Sequence, residues 1–161
     1  MAICTADFRD ALRNWASGVT VVTAKDREGV LHGITVSAFT SVSLEPPLVL
    51  ICIDKFTGSH HAFAEGPYFV INILSDGQEN LSRQFATPLL DKFDNVEFEE
   101  NANGVPVLSG SLCNLECRLV FAYEGGDHTI FIGEIEKAIV REGKPLLYFQ
   151  GNYADIRERL G

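Results

Sequence analysis

Two long runs of alternating apolar and polar residues, Leu112 to Glu124 and Thr129 to Val140, are joined by Gly125-Gly126-Asp127, with His128 leading into the second. Period-two alternation places successive side chains on opposite faces of an extended strand. A Gly-Gly-Asp connection permits the positive φ that joins two such strands antiparallel. The pattern predicts a long β-hairpin, and the rest of the chain must supply strands to match it. Val19 to Ala24 is a β-branched run closed by a charged turn, Lys25 to Gly29, and Ile34 to Leu44 alternates with period two, which predicts a second hairpin ended by Pro46-Pro47. Leu48 to Ile53 reads as a strand buried on both faces, Tyr68 to Leu74 as another strand, and Leu146 to Gln150 as a short last one before a charged terminal helix.

Helical signals are short by comparison. Phe8, Leu12 and Trp15 fall on one helix face, with Thr5 placed to cap its start and Gly18 to end it. Ser59 to Glu65 reads as a short helix, and Ser75 with Gln78 forms a capping box that opens a helix through Leu81 and Phe85. Thr87 to Ser111, rich in Asn, Glu, Pro and Gly, predicts a long surface excursion with at most one short strand. Six or seven mostly hairpin-linked strands, with helices too few to cover both faces of a parallel sheet, predict an all-β antiparallel barrel. No internal repeat divides the chain, so one domain over residues 1–161 is expected.

Composition narrows the partners. With 161 residues, 46% of them hydrophobic, the chain can build a full core without staples. Its formal charge of −9 repels phosphate backbones and anionic membrane faces, so nucleic acid and membrane are not expected partners. Asp7, Arg9, Asp10 and Arg13 interrupt the apolar residues at the start, and no later run approaches the ~18 apolar residues of a span, so a cytoplasmic location is expected. Cys4, Cys52, Cys113 and Cys117 lack metal or redox spacing and are expected to be reduced and mostly buried. Adjacent His60 and His61 diverge in a strand or a helix and make poor joint ligands, so no metal is expected.

Two segments carry chemical potential. On a single strand, Thr35, Ser37, Phe39, Ser41 and Ser43 would share one face and could present four hydroxyls and an aromatic ring to a cofactor; a solvent-facing Ser/Thr stripe is the alternative. His128, after the Gly125-Gly126-Asp127 turn, is either a solvated turn residue or a fixed polar contact for a carboxamide or phosphate. Phosphate-binding glycine loops and nucleophile elbows are absent from the sequence.

Read in order, Gly18-Val19-Thr20-Val21-Val22-Thr23, His32-Gly33-Ile34-Thr35-Val36-Ser37-Ala38-Phe39-Thr40-Ser41-Val42-Ser43-Leu44 with Pro46-Pro47, Asn72-Ile73-Leu74-Ser75, and Gly126-Asp127-His128-Thr129-Ile130-Phe131-Ile132-Gly133-Glu134 resemble the flavin reductase-like family. The resemblance spans about Phe8 to Tyr153. It implies an antiparallel split β-barrel, a homodimer, and reduction of FMN or FAD by NADH or NADPH, as in the small component of two-component flavin monooxygenases. It further implies that Thr35, Val36, Ser37, Ala38, Phe39, Ser41 and Ser43, with Cys52, Ile53 and Asp54, hold the flavin. Ser59 and His60 would lie near its phosphate, and Phe85 of Arg83-Gln84-Phe85-Ala86 would be a wall. His128, Tyr148, Phe149, Gln150, Gly151 and Tyr153 match the nicotinamide contacts, His128 in a positioning role, with no catalytic acid or base required. Ile34 stands where many relatives have Met, and Asn14-Trp15 replaces a basic or polar residue followed by Phe. The alternative function on the same barrel is a flavin-binding electron carrier without efficient nicotinamide turnover.

Overall fold

The computed structural model describes residues 2–88 and 91–156. In chain order the elements are α1 (Thr5–Leu12), β1 (Ser17–Gly18), β2 (Thr20–Lys25), β3 (Leu31–Val36), β4 (Phe39–Ser43), β5 (Leu48–Asp54), α2 (His60–Glu65), β6 (Tyr68–Ile73), a 3₁₀ turn (Asp76–Gln78), α3 (Glu79–Ala86), β7 (Phe98–Glu100), β8 (Pro106–Leu108), β9 (Cys113–Gly125), β10 (His128–Val140), β11 (Leu147–Phe149) and β12 (Asn152–Ala154). Seven strands form the main sheet in the order β3-β2-β6-β9-β10-β5-β4, every pair antiparallel. The expected count of six or seven describes this sheet; β1, β11 and β12 form a second small sheet and β7 with β8 a third.

The long hairpin forms as its sequence requires. β9 and β10 pair from Gly125↔His128 to Cys113↔Val140, and Gly126, first of the two turn residues, carries φ +78. Two register shifts bend the pair, one of them at Gly133, where a Cβ would stand 2.4 Å from the Phe69 ring. Shifts of this kind raise local twist and let a long ribbon wrap rather than lie flat.

Ile34 to Leu44 is not one strand. Pairing stops at Ser37-Ala38, where the Phe39 N–H donates to the Ser37 carbonyl at 3.0 Å in a tight three-residue turn. β3 pairs with β2 and β4 with β5, at opposite edges of the sheet. Thr35 therefore lies on a different strand from Phe39, Ser41 and Ser43, with Ser37 in the corner between, and the five do not share one strand face. A hairpin of β2 and β3 does form, but only its second strand's first half is used.

Two cores sandwich β2. Val22 and Ala24 join Ile51, Phe63, Phe69 and Phe131 in the inner core, whereas Val21 joins Leu74, Phe85, Leu108 and Leu146 in an outer one. Burial on both faces explains the unbroken β-branched composition of Val19 to Ala24. β5, expected to be buried on both faces, instead alternates: Val49, Ile51 and Ile53 are buried and the residues between them half-buried, because its outer face is not covered by an apolar layer.

The excursion after α3 contains two short strands rather than at most one, because β8 and β7 pair with each other and cap the outer core. Buried Asn72 fastens this cap. Its amide donates to the Val21 carbonyl at 2.9 Å and accepts from the Leu108 N–H at 3.0 Å and the Asn114 amide at 2.7 Å. Arg141 in turn donates to Asn114 Oδ1 at 2.6 Å.

Further boundaries differ locally. Cys4, not Thr5, caps α1, accepting from the Asp7 N–H, and the helix ends at Leu12 with Arg13 as its C-cap, Gly18 being already in β1. Its apolar face does not enter the core: Phe8, Leu12 and Trp15 are all more than half exposed. Gln78 accepts from the Ser75 N–H at 3.0 Å as the capping box requires, though the first turn is 3₁₀. Only Cys117 of the cysteines is buried, its thiol pushed up to about 12 by desolvation and by Glu136 and Glu116; Cys52 and Cys113 are half-buried and Cys4 is exposed. Leu146 to Gln150 is not the last strand: β12 follows it directly where the charged terminal helix was expected to begin, and residues 157–161 of that expected helix lie outside the described residues.

Asn72→Leu removes the amide while leaving Val21, Leu108 and Asn114 polar groups buried without it. Each such group costs about 1–3 kcal/mol, so a loss of roughly 3 kcal/mol is expected after partial relaxation, read as a lower urea midpoint at unchanged slope.

Candidate functional site

The break at Ser37-Ala38 opens onto a set of neighbouring cavities that share lining residues. The largest, about 670 Å³, is walled by Ser37, Ala38, Phe39 and Leu50 on one side and by Trp15 and Tyr148 on another. Ser37 and Tyr148 also line a smaller recess of about 180 Å³ with Thr35, Ser82 and Tyr153. Ala86 links that recess to a cleft of about 560 Å³ bounded by Gly33, Phe56, Thr57, Ser59 and Lys92. A long apolar groove with a few fixed polar groups is the usual form of a cofactor site.

Local chemistry fixes these walls. Thr35 Oγ1 donates to the Ser82 carbonyl at 2.6 Å, and Ser82 Oγ and the Tyr153 hydroxyl are 2.8 Å apart, tying α3 to β3 and β12. The Arg83 guanidinium sits 4.8 Å from the centre of the Tyr153 ring, held there by Glu79. Tyr148 and Tyr153 meet edge to face at 5.4 Å. Gln150 and Gly151 carry φ +50 and +83, the two positive angles of a tight β11–β12 turn. That turn is anchored to the end of α1, where the Gln150 N–H donates to the Arg13 carbonyl at 3.1 Å and its side chain to Asn14 at 3.3 Å. Asn14 and Trp15, the unusual pair in the sequence, thus belong to the groove's rim.

Cations gather here although the chain carries −9. Arg9 and Arg13 line the largest cavity, Arg83 the side near Tyr153, and Lys92 the far cleft. Lys92 Nζ donates to the carbonyls of Gly33 at 3.2 Å and Phe85 at 2.9 Å, and burial lowers its pKa. None of these was singled out from sequence; the basic residue inside Arg83-Gln84-Phe85-Ala86 was the one available signal for Arg83. Ser82 was likewise missed.

Of the expected site residues, Thr35, Ser37, Ala38, Phe39, Tyr148, Gln150, Gly151 and Tyr153 line the neighbouring cavities, and Ser59 lines the far cleft. Cys52 adjoins them, its N–H donating to the Ala38 carbonyl at 3.1 Å. Val36, Ile53 and Phe85 are buried core side chains, and Phe85 supports the cleft from behind Gly33. Ser41 and Ser43 run along β4 away from the break, and Phe149 precedes the β11–β12 turn. A separate cluster forms at the end of β5 and the start of β10. His128 faces Asp54 across the ladder, and its Nδ1 lies 2.8 Å from Asp127, whose carboxyl the imidazole holds below its ordinary pKa. Asp54 Oδ1 accepts from the Phe56 N–H, and His60 Nε2 lies 2.9 Å from Thr129 Oγ1. Lys55 bridges Glu124 and the Gly126 carbonyl, so this turn is held rigidly.

Residues 12–157 match the family described as flavin reductase like domain. The chain belongs to the flavin reductase-like family. It is 46% identical over 146 residues to the FMN reductase (NADH) SmoA of Agrobacterium fabrum, covering 91% of this chain and 83% of that one. It is 43% identical to the reductase component of a 4-nitrophenol 4-monooxygenase/4-nitrocatechol 2-monooxygenase of Rhodococcus opacus, covering 92% and 79%. Among solved structures, the NADH:FAD oxidoreductase of Streptomyces globisporus in complex with NAD and FAD fragments superposes with a TM-score of 0.92 at 35% identity, covering 100% of this chain and 99% of that one. The flavin reductase-like fold here is a mostly β architecture whose main sheet is not closed, the split barrel expected from the sequence.

In this flavin reductase-like chain, Gly33 is the position where the groove wall tolerates least. A Cβ there would stand 2.3 Å from the ring of buried Phe85, which is itself packed edge to face on Phe93. Gly33→Ala is expected to cost about 1–3 kcal/mol through displacement of that ring, measured by thermal and urea unfolding.

Proposed function

We propose that this chain is an NAD(P)H:flavin oxidoreductase that reduces FMN or FAD and delivers the reduced flavin to a separate monooxygenase. The observation that carries this is the polar-rimmed apolar groove at the split, in a chain 46% identical to an FMN reductase (NADH) and superposing on a NADH:FAD oxidoreductase solved with fragments of both NAD and FAD. The residues present fit such ligands: an apolar slot between Phe39, Leu50, Trp15 and Tyr148 suits flat rings, and Arg13, Arg83 and Lys92 suit phosphates.

Nicotinamide and flavin, when bound face to face, supply the hydride donor and acceptor. The chain's own residues position and shield. The corner at Ser37-Ala38 brings backbone and hydroxyl groups to the groove without a side chain large enough to fill it. Trp15 and Tyr148 wall the slot, and a ring bound between them would displace water from both faces. The Nδ1–H of His128 donates to the Asp127 carboxylate, which leaves Nε2 as an acceptor for an amide N–H such as a carboxamide. Thr35, Ser37, Ala38, Phe39, Cys52 and Asp54 are assigned to the flavin, Ser59 and His60 to its phosphate side, and His128, Tyr148, Gln150, Gly151 and Tyr153 to the nicotinamide.

The exposed apolar side chains of Phe8 and Leu12 on α1 and of Trp15 just after it line the largest cavity and, with exposed Ile3, support a homodimer that closes the groove at the subunit boundary. Among the described residues no helix is long and apolar enough to cross a membrane; a cytoplasmic location and a single domain over 1–161 complete the proposal. Sedimentation is expected to give twice 17.7 kDa, and a monomeric mass with full activity would contradict the dimer.

Steady-state oxidation of NADH and NADPH, with and without added FMN or FAD, tests the activity. Turnover that rises with added flavin is expected; tight flavin binding without nicotinamide oxidation would make the chain an electron carrier. His128→Ala is expected to lower kcat/KM for NADH by roughly 10- to 100-fold, about 1–3 kcal/mol, with flavin affinity unchanged.

A further inference from the structure

Behind the far cleft, three side chains converge that no part of the proposed reaction uses. Asp26 closes the turn between β2 and β3, His32 lies on β3, and His61 is the second residue of α2. Asp26 Oδ2 is 2.9 Å from His32 Nε2 and 3.5 Å from His61 Nε2, and the three potential ligand atoms all lie within 4.8 Å of one another. The imidazoles meet edge to face with centroids 4.7 Å apart.

We propose that Asp26, His32 and His61 bind one divalent transition-metal ion of the Zn²⁺ class, which clips α2 to the β2–β3 turn. Tetrahedral bonds of ~2.0–2.1 Å place neighbouring ligand atoms roughly 3.3–3.4 Å apart, and two of the three separations already lie close to that. The carboxylate is aimed in advance. Its Oδ1 accepts from the backbone N–H groups of Glu28 at 2.9 Å and Val30 at 2.8 Å, which leaves Oδ2 facing both histidines. Such outer hydrogen bonds are what orient a metal-binding carboxylate. Asp26 and His32 side chains are only 10% and 15% exposed, whereas His61 at 50% is free to turn onto the ion and leaves a fourth position open to water.

Two imidazoles and one carboxylate select a nitrogen-preferring ion. Calcium and magnesium, which need a full shell of oxygens, do not suit this set. His32 also borders the cleft that contains Lys92 and Ser59, so the ion would stiffen one wall of the groove without touching its ligands.

The test uses the purified full chain, stripped with chelator and free of flavin, so that its outcome is independent of the reductase reading. Calorimetric titration with Zn²⁺ is expected to give one ion per chain. His61→Ala and Asp26→Asn should each raise Kd at least tenfold; Asp26→Asn keeps the turn's acceptor oxygen. Zn²⁺ should raise the Tm of the wild type and of neither variant. Co²⁺ as a probe should show visible d–d bands without a thiolate charge-transfer band. Absence of saturable binding, wild-type affinity in both variants, or a thiolate band placing the ion on cysteine would each overturn the proposal.

Discussion

The two edge strands of the seven-stranded sheet, β3 and β4, are consecutive in the chain and joined by only two residues, Ser37 and Ala38. A flat sheet would hold its edges many strand widths apart, since neighbouring strands lie ~4.8 Å apart. The connection therefore forces the sheet to curl until its edges meet at that corner. Curling encloses the inner core of Ile51, Phe63, Phe69 and Phe131, and the bends in β9 and β10 supply the curvature. Beyond the corner the edges are not paired to each other, and the groove occupies this split. The same two residues that close the sheet line the largest cavity.

A curled sheet of this kind covers one face only. The outer face of β2 and β6 is covered by α3, the β7–β8 hairpin and Leu146, and Asn72 is the point at which cap and sheet are hydrogen-bonded together. This outer layer also carries Ser82, Arg83 and Lys92 to the groove, so packing and site assembly share the same elements. A buried amide with all its partners present is a strong positional constraint, because any shift of the cap would strand several polar groups together.

Charge is distributed unevenly over the same surface. A chain with nine more acidic than basic groups nevertheless turns Arg9, Arg13, Arg83 and Lys92 toward the neighbouring cavities. The general field discourages bulk polyanions while the local one receives a small anionic ligand, a separation that net charge alone cannot express. Arg83 and Arg13 also pair with Glu79 and Asp10, whereas the hydrogen-bond partners of Lys92 are neutral carbonyls.

By itself the sequence determined the strands and their hairpins: alternation and a Gly-Gly-Asp turn specify β9 and β10, and a β-branched run specifies β2, because period and turn chemistry are local properties. Ordered motifs across nearly the whole chain also made the family legible. The apparent continuity of Ile34 to Leu44 was misleading, since alternation does not record which partner each half of a run will pair with. Similarly, Phe8, Leu12 and Trp15 fall on one helix face, yet all three stay more than half exposed, because periodicity does not record what an apolar stripe packs against. Only tertiary structure brought Lys92 under Gly33, Gln150 onto Arg13, and His61 beside Asp26 and His32. Each of these contacts spans tens of residues and depends on how far the sheet curls, a quantity set by the whole ladder and by no single segment of sequence.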